Sequence, residues 1–265
     1  MKDKVYYDMT KLQKEHWWYK ARREILDKII SKCKLSVNAK ILEIGCGTGG
    51  NLLMLQKHGN VFAMEMDEFA SEYATRTTGV DVRKGRLPDN IPYNEKFDLV
   101  CMFDVLEHIQ DDKKALIEIT KLLEPAGTLI ITVPAYSWLY SAHDKMHNHY
   151  RRYSANALNE IISYSGLNIL KISYFNTLLF PLVILTRLAD MLRNSDESIG
   201  YSTPNKIVNQ LLYRTFSIER LLVNKICLPF GLSIFAVCKK TFSPLYGDRQ
   251  DFLPPLQERG LDRLQ

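Results

Sequence analysis

The sequence of 265 residues is poor in several features that define specialised classes of protein. Its five cysteines form no C-x-x-C pair, and three of them lie inside apolar runs, where a thiol behaves as a small hydrophobic group. No apolar run reaches the ~20 residues of a membrane-spanning helix, because Pro181, Arg187 and Asp190 interrupt the richest stretch. The N-terminal region contains no apolar signal core. We therefore expect a protein of the reducing cytoplasm.

Strong charge of either sign is also missing. The net charge of +5 is small for this length, and no run of basic residues predicts a nucleic-acid partner. Such a charge could help to attract acidic or phosphorylated substrates or an anionic membrane surface, although solubility alone explains it. The content of 46% hydrophobic and 25% charged residues is ordinary for a globular protein. One α/β domain with an insertion fits this length better than two full domains.

Short apolar runs alternate with helical patterns along residues 15–175. The run at 97–103 is apolar at almost every position, as expected for a parallel strand that is buried on both faces. Ser154 is a suitable N-cap for a helix that Gly166 ends. Strands that alternate with helices predict an α/β fold, a Rossmann-like, doubly wound, mainly parallel sheet of seven strands. The predicted strands are 39–44, 61–64, 80–83, 97–103, 129–133, 167–175 and 231–238, and the other predicted helices include 15–34, 69–76 and 112–123.

A long segment of about 55 residues separates the last two predicted strands, far more than most connections need. It contains helical patterns at 178–192 and 206–228, separated by a polar turn, and we expect it to cap the sheet edge or a binding site. The predicted organisation is an N-terminal helical lid (1–38), an α/β domain (39–240) with a helical insertion (176–229) before the last strand, and a flexible tail (241–265).

The strongest local signal is a glycine-rich turn directly after the first predicted strand. Its glycines follow the spacing G-x-G-x-G-G instead of the G-x-G-x-x-G of dinucleotide-binding turns, and an acidic residue precedes them. A carboxylate at this point would repel a pyrophosphate but would suit a cationic ligand. The stretch resembles motif I of class I S-adenosyl-L-methionine-dependent methyltransferases. This resemblance implies that the methionine part of the cofactor is held by Glu43, Gly45, Cys46, Gly47 and Gly49.

Two later positions extend the resemblance. Glu65 ends the second predicted strand, where an acidic side chain can accept hydrogen bonds from both ribose hydroxyls, and Met66 lies beside it. Asp67 competes for this role, but the strand pattern favours Glu65. Arg86 and Leu87 occupy the positions of the family's adenine-binding loop, although many members have an acidic residue where this chain has Arg86.

A further block of the same family follows in the fourth predicted strand and the turn after it. Residues 97–100 read FDLV and residues 103–109 read FDVLEHI, which is similar to the family block almost letter for letter. The resemblance implies that Asp104 to Glu107 line the crevice at the switch in strand order and that Asp104, Val105 and His108 contact the cofactor. His108 could act as a base, although packing beneath the loop is the better interpretation. Four motifs in order imply an enzyme that uses S-adenosyl-L-methionine and releases S-adenosyl-L-homocysteine.

A polar and aromatic segment, residues 143–153, follows the fifth predicted strand on the side where an acceptor should bind. Its histidines could bind a metal ion with the adjacent aspartate, or the segment could be an ordered surface loop. The interpretation that we favour makes His149 or His143 the base that deprotonates an acceptor hydroxyl, while Arg151 and Arg152 bind an anionic group. We predict no metal ion, because methyl transfer does not require one.

A wider pattern narrows the resemblance further. The chain is similar to a bacterial subgroup associated with cell-surface polysaccharide or lipid-linked sugar assembly in the sequences HWWY at 16–19, RR at 22–23, HD at 143–144 and HYRRY at 149–153. This implies methyl transfer to an oxygen of a sugar-like or lipid-linked small acceptor. The alternatives are a quinone or small aromatic O- or N-methyltransferase, and a non-catalytic protein that binds the cofactor as a sensor or partner. The apolar insertion would suit contact with the inner membrane face, and we expect a monomer or homodimer.

Overall fold

The computed structural model describes residues 10–185 and 203–240. Within these ranges seven strands form one sheet in the order β3-β2-β1-β4-β5-β7-β6. The strands are β1 (Lys40–Ile44), β2 (Asn60–Glu65), β3 (Val82–Lys84), β4 (Phe97–Phe103), β5 (Leu123–Pro134), β6 (Leu167–Phe175) and β7 (Ser233–Lys240). The helices are α1 (Trp17–Ile30), α2 (Leu52–Leu55), α3 (Glu68–Thr78), α4 (Asp112–Leu122), α5 (Ala142–Met146), α6 (Ala155–Tyr164) and α7 (Lys206–Ser217). Residues 10–15 and 180–185 are also helical.

The sheet has the predicted topology. Strands β1 to β5 pair in parallel, and β7 lies antiparallel between β5 and β6. This arrangement confirms the Rossmann-like, mainly parallel sheet of seven strands. The chain runs from β1 through β2 to β3 at one edge and then returns to add β4 on the other side of β1. The carboxyl ends of β1 and β4 therefore border a crevice, the usual ligand site of such sheets.

Apolar side chains on the two faces of the sheet form two separate layers, since neighbouring residues of a strand point to opposite faces. Leu42 of β1 belongs to the same buried cluster as Leu116 of α4. The preceding residue, Ile41, clusters instead with Ile25 of α1 and Phe216 of α7. Helices α1 and α7 also contact each other directly. The N-terminal helix and the insertion therefore cover one face of the sheet together.

Two element boundaries differ from their predictions for identifiable reasons. Helix α1 is shorter than the predicted 15–34, because the His16 ring accepts a hydrogen bond from Trp18 N at 3.3 Å and caps the helix. Strand β5 begins earlier than predicted, at Leu123, which pairs with Phe97 before the register shifts. Regular apolar alternation in the sequence does not indicate this start, because the pairing with β4 is interrupted by the shift in register.

The insertion before β7 departs most from its predicted pattern. Helix α7 ends at Ser217 instead of continuing to residue 228, and a 3-10 turn follows it. In that turn, the buried carboxylate of Glu219 accepts hydrogen bonds from the backbone N–H groups of residues 176–178 at 2.6–2.8 Å. These bonds join segments that are about 40 residues apart, so helical periodicity cannot reveal them.

Some predicted segments lie outside the described residues. These are residues 1–9 of the predicted lid, residues 186–202 of the insertion, and the tail at 241–265. The side chain of His143 is outside the description as well, although its backbone belongs to α5. Within the described ranges, no helix is both long and apolar enough to cross a membrane.

Candidate functional site

The glycine-rich turn lies at the carboxyl end of β1, where Gly45, Gly47 and Gly49 have positive φ angles of 67°, 54° and 84°. A Cβ atom on Gly45 would lie 2.7 Å from Cγ2 of Val105, so glycine allows the segment after β4 to pack directly on the turn. Around Gly47, no described residue other than its two chain neighbours places an atom within 4 Å of such a Cβ. The turn is therefore closely packed at its first glycine and open at its second.

Glu65 joins the end of β2 to the glycine-rich turn. Its Oε2 accepts a hydrogen bond from Gly47 N at 2.8 Å, and its Oε1 accepts from Met66 N at 2.8 Å and Asp67 N at 3.0 Å. Asp67 has a different task, because its Oδ1 accepts from Ala70 N at 3.0 Å and caps α3. Of the two acidic residues at the end of β2, Glu65 and not Asp67 therefore contacts the glycine-rich turn.

Glu43 of β1 is buried beside the same turn. Asn51 donates from Nδ2 to its Oε1 at 2.7 Å, whereas Oε2 has no hydrogen-bond partner among the described residues. Burial raises the pKa of Glu43 to about 7, while the Asn51 hydrogen bond and the positive charge of Arg22 act in the opposite direction. An unpartnered acidic oxygen of this kind suits a cationic ligand.

The predicted adenine-binding positions follow β3. Backbone hydrogen bonds between Arg86 and Asn90, at 2.7 and 2.8 Å, form a tight loop there. Arg86 is exposed, whereas Leu87 is buried in the apolar layer that includes α4. Of the two other predicted neighbours of the cofactor, Met66 is exposed and Cys46 is buried, which raises the pKa of its thiol. A ligand in this region would therefore find exposed side chains at Met66 and Arg86.

An ion pair connects the end of β4 to α1. Asp104 has a φ of 56°, and its carboxylate pairs with the guanidinium of Arg22, which is buried. Arg22 also donates to Thr132 Oγ1 at 3.1 Å and lies over the rings of Trp18 and Phe103, at 4.9 and 5.7 Å from their centroids. The sequence resemblance includes Arg22 but gives it no role, because its partner is 82 residues away along the chain.

The 3-10 turn after β4 contains a second unpaired carboxylate. Glu107 is completely buried, and neither of its oxygens has a hydrogen-bond partner within residues 10–185 and 203–240. Burial, reinforced by the negative charge of Asp104, holds the pKa of Glu107 well above its ordinary value. The next residue is His108, whose pKa is lowered to about 4 by burial and by the neighbouring His149. At neutral pH the His108 ring is therefore uncharged and can bind other groups.

Asp144 of α5 organises residues 143–153, the segment that the sequence predicts to face the acceptor. Its completely buried carboxylate accepts hydrogen bonds from Ser141 N at 2.8 Å, His149 Nδ1 at 2.9 Å and Arg152 Nε at 2.8 Å. Although burial alone would raise it, the pKa of Asp144 is held well below its ordinary value by the hydrogen bonds from His149 and Arg152. Because Nδ1 of His149 faces Asp144, Nε2 is the ring nitrogen that can act on another group.

The two arginines that we expected to bind an anion are bonded to acceptors of the protein itself. Arg152 donates from Nη1 to Ala135 O at 3.2 Å in addition to its bond with Asp144. Arg151 pairs with Asp112 at 2.7 Å and donates to the carbonyl of Gln110 at 2.7 Å. These contacts support the loop, and a role of Arg152 toward a ligand stays a prediction.

Side chains from the turn after β4 and from the acceptor-side segment meet at one point. The rings of His108 and His149 are perpendicular, with centroids 4.6 Å apart. The carboxylate of Glu107 lies beside them, with ligand atoms of all three residues within 4.8 Å of one another. The structure thus brings His108 and His149 together with Glu107, which the sequence placed in the crevice without a role of its own. The sequence contained a signal for it, because a buried-looking apolar block rarely includes an acidic residue.

Comparisons with known proteins agree with this architecture. A family profile described as a methyltransferase domain matches residues 17–172. A probable S-adenosylmethionine-dependent methyltransferase of Mycolicibacterium smegmatis is 25% identical over 60% of this chain and 62% of its own length. A ubiquinone biosynthesis O-methyltransferase of Candida albicans is 30% identical over 40% of this chain and 34% of its own length. The chain thus spans less than two thirds of the length of the curated relatives that it matches.

Solved structures support the fold independently. The complex between the Haloferax volcanii Trm112 methyltransferase activator and a methyltransferase contains a chain that is similar with a TM-score of 0.60 at 16% identity. The similarity covers 91% of this chain and 96% of that chain. At this level of identity the likeness shows the fold alone, whereas the family profile covers more than half of the sequence. The chain therefore belongs to the methyltransferase-domain family, as its motifs predicted.

Proposed function

We propose that the protein is an S-adenosylmethionine-dependent methyltransferase that transfers the methyl group to an oxygen of a sugar-like or lipid-linked small acceptor. The observation that carries this proposal is the hydrogen-bonded pair of Asp144 and His149. An imidazole held by a carboxylate can remove the proton of an acceptor hydroxyl, whereas an uncharged amine can react through its own lone pair. The pair therefore favours an oxygen acceptor.

Two observations at the crevice fit the cofactor. The unpartnered Oε2 of Glu43, among the described groups, suits the positive ammonium or sulfonium. The open space beside Gly47 suits a ligand that approaches the backbone closely. The residues that would hold the cofactor are Glu43, Gly45, Cys46, Gly47, Gly49, Glu65, Met66, Arg86, Leu87, Asp104, Val105 and His108.

The sulfonium supplies an activated methyl carbon, so the main tasks of the chain are alignment and proton removal. The acceptor oxygen attacks the methyl carbon in line, and the carbon–sulfur bond breaks with its electron pair going to sulfur. Nε2 of His149 takes the hydroxyl proton, and Asp144 stabilises the imidazolium that forms. Arg152 acts through Asp144 and is a positioning residue.

Apolar groups near the insertion support a lipid-linked acceptor. Ile207 and Leu211 of α7 are 83% and 63% exposed. The rings of Tyr174 and Phe180 lie 5.3 and 5.8 Å from the ring of Tyr136, which follows β5. Surfaces of this kind suit an acyl or polyprenyl chain, and they suit contact with the inner membrane face.

Labelled-methyl transfer to defined acceptors tests this proposal. The purified protein is incubated with methyl-labelled S-adenosylmethionine and either lipid-linked saccharides and sugar nucleotides or quinols and amines. We expect the label in a sugar methyl ether. His149→Gln should lower kcat by at least about 100-fold and leave cofactor affinity, measured by calorimetry, unchanged.

The matched control is His147→Gln in the same loop, which should keep kcat within about twofold of the wild type. Label on a nitrogen or on a quinol would contradict the acceptor assignment. A protein that binds the cofactor but labels neither set of acceptors would support the non-catalytic alternative instead.

A further inference from the structure

We propose that Glu107, His108 and His149 bind one divalent transition-metal ion at the carboxyl end of β4. A carboxylate oxygen and a ring nitrogen of each histidine already lie within 4.8 Å of one another. Ligand atoms bound to one ion at about 2.1 Å are about 3.0–4.2 Å apart, so a small contraction of the three side chains completes the site. The proposal rests on the proposed transfer to an oxygen, and it replaces our expectation from the sequence that the protein has no metal site.

The surroundings of Glu107 provide an independent argument. Its carboxylate is completely buried, and among the described residues no group other than its own backbone N–H acts on it as a hydrogen-bond donor. Buried charges are normally paired or bound to a metal ion. Two arginines act on Glu107 electrostatically, but Arg22 is paired with Asp104 and Arg152 with Asp144. A cation between Glu107 and the two histidines supplies the partner that the carboxylate needs.

The contacts behind the two histidines determine which nitrogens face the ion. Asp144 accepts a hydrogen bond from His149 Nδ1 at 2.9 Å, so Nε2 becomes the ligand. The His108 ring has a hydrogen bond with the backbone of His147, which leaves its other nitrogen for the ion. A carboxylate or a carbonyl behind each ligating imidazole is the usual arrangement in metal sites, where it fixes the ring and strengthens the ligand.

The ligand set defines the class of ion. Two imidazoles and one carboxylate suit Mn²⁺, Fe²⁺, Co²⁺ or Zn²⁺, whereas Ca²⁺ and Mg²⁺ prefer sites made of oxygen alone. Three protein ligands leave at least one coordination position for the acceptor oxygen. A hydroxyl group bound to such an ion loses its proton more readily, as metal-bound water does.

With the proposed ion, the reaction is still methyl transfer to an oxygen, but water replaces His149 as the acceptor of the hydroxyl proton. The acceptor hydroxyl coordinates the ion and releases its proton to bulk water. The resulting alkoxide oxygen attacks the methyl carbon while the carbon–sulfur bond breaks and its electron pair goes to sulfur. His149 is then a ligand of the ion, and water takes its place as the proton acceptor.

Cobalt titration tests the site without any acceptor. The full chain is treated with a chelator, dialysed and titrated with Co²⁺, while visible d–d absorption and heat are recorded. We expect one ion per chain, and binding that is at least about tenfold weaker in Glu107→Gln and in His108→Ala. Glu107→Gln keeps the shape of the side chain and replaces a buried carboxyl group that has no described side-chain partner, so the variant should fold, as circular dichroism can verify.

His147→Ala is the matched control, because it removes a neighbouring imidazole that is not among the three ligands. Its cobalt affinity should stay within about twofold of the wild type. Absence of cobalt absorption in the wild-type protein would overturn the proposal. Equal loss of affinity in His147→Ala and His108→Ala would overturn the assignment of the ligands.

Chelation in the presence of an accepted substrate separates this inference from the proposed function. We expect a chelator to lower kcat by at least about 100-fold, with Mn²⁺ or Co²⁺ restoring it, while cofactor affinity is unchanged. Turnover that persists after chelation contradicts the metal site and leaves His149 as the direct base. Loss of cofactor binding, or no turnover with any ion, would contradict the proposed function itself.

Discussion

Backbone amides form much of the side of the crevice that we assign to the cofactor, whereas ionisable side chains form the side that we assign to the acceptor. On the cofactor side, both oxygens of Glu65 accept backbone hydrogen bonds, from Gly47 and from the residues that follow Glu65. On the acceptor side, neither oxygen of Glu107 has a partner in the described part of the chain. The first carboxylate organises the backbone, and the second is available to bind a ligand.

This difference separates two physical ways to build one site. A surface of amides and glycines depends on backbone geometry, so it is sensitive to added atoms and insensitive to pH. A cluster of carboxylates and imidazoles depends on charge, so it responds to pH, to metal ions and to the loss of one partner.

The largest effect should come from Gly45→Ala on the cofactor side. The added Cβ would lie 2.7 Å from Cγ2 of Val105, at a residue whose φ is 67°. Overpacking and backbone strain together should lower the free energy of unfolding by about 3 kcal/mol. Urea unfolding measures this value. Partial recovery in the double variant Gly45→Ala/Val105→Ala would identify the contact with Val105 as the cause.

Gly47→Ala is the control for that experiment. Its φ is also positive, but a Cβ there meets no atom of the described chain within 4 Å. Strain alone should lower the free energy of unfolding by about 1 kcal/mol, while the methyl group blocks the space that we assign to the cofactor. Equal stability loss in both variants would contradict the packing difference between the two glycines.

On the acceptor side, Asp144→Asn should lower the free energy of unfolding by about 2 kcal/mol at pH 7, because it removes charge-assisted hydrogen bonds to His149 and Arg152. The pKa of Asp144 in the folded protein lies below its value in the unfolded chain. Its stabilisation is therefore complete above about pH 4 and is lost as the pH falls further. Urea unfolding at pH 7 and pH 3 should show a smaller difference between wild type and variant at pH 3. A constant difference would disprove the role of this charge.

The smallest effect should be on cofactor affinity and concerns Glu43. This residue lies on the side that we assign to the cofactor, but like the groups on the other side it is ionisable, so its contribution depends on pH. Because burial raises its pKa to about 7, Glu43 becomes charged mainly between pH 6 and pH 8. The charged form should bind the cationic cofactor better, so affinity should rise roughly tenfold over that interval, and Glu43→Gln should remove the rise. Calorimetric titration at both pH values measures it. The same slope in Glu43→Gln would assign the pH dependence to another group.

The arrangement of Glu43, the glycine-rich turn and Glu65 could be predicted from the sequence, because local rules determine it. Parallel strands end at a common edge, so Glu43, the glycines of the turn and Glu65 fall together once the strands are identified. Their order and spacing are visible in the chain. The sheet topology follows from the same alternation of strands and helices.

The acceptor side could be predicted only in part, because contacts between distant residues determine it. The residue type of His149 makes it a candidate base from the sequence alone, but its bond to Asp144 and the surroundings of Glu107 depend on how two segments meet. The predicted end of α7 was wrong for a similar reason. The buried carboxylate of Glu219 accepts hydrogen bonds from backbone N–H groups that are about 40 residues away in the chain. Periodicity records which face of a helix is apolar, and it contains no information about such partners.

The ion pair between Arg22 and Asp104 couples the docking of the N-terminal helix α1 to ligand binding in the crevice. A ligand that strengthens or weakens this pair changes the free energy with which α1 is docked. By linkage, the docking of α1 changes the affinity for that ligand by the same factor. Amide hydrogen exchange along α1 is therefore a reporter of occupancy at the end of β4, and a substitution on α1 far from the acceptor can alter binding without touching it.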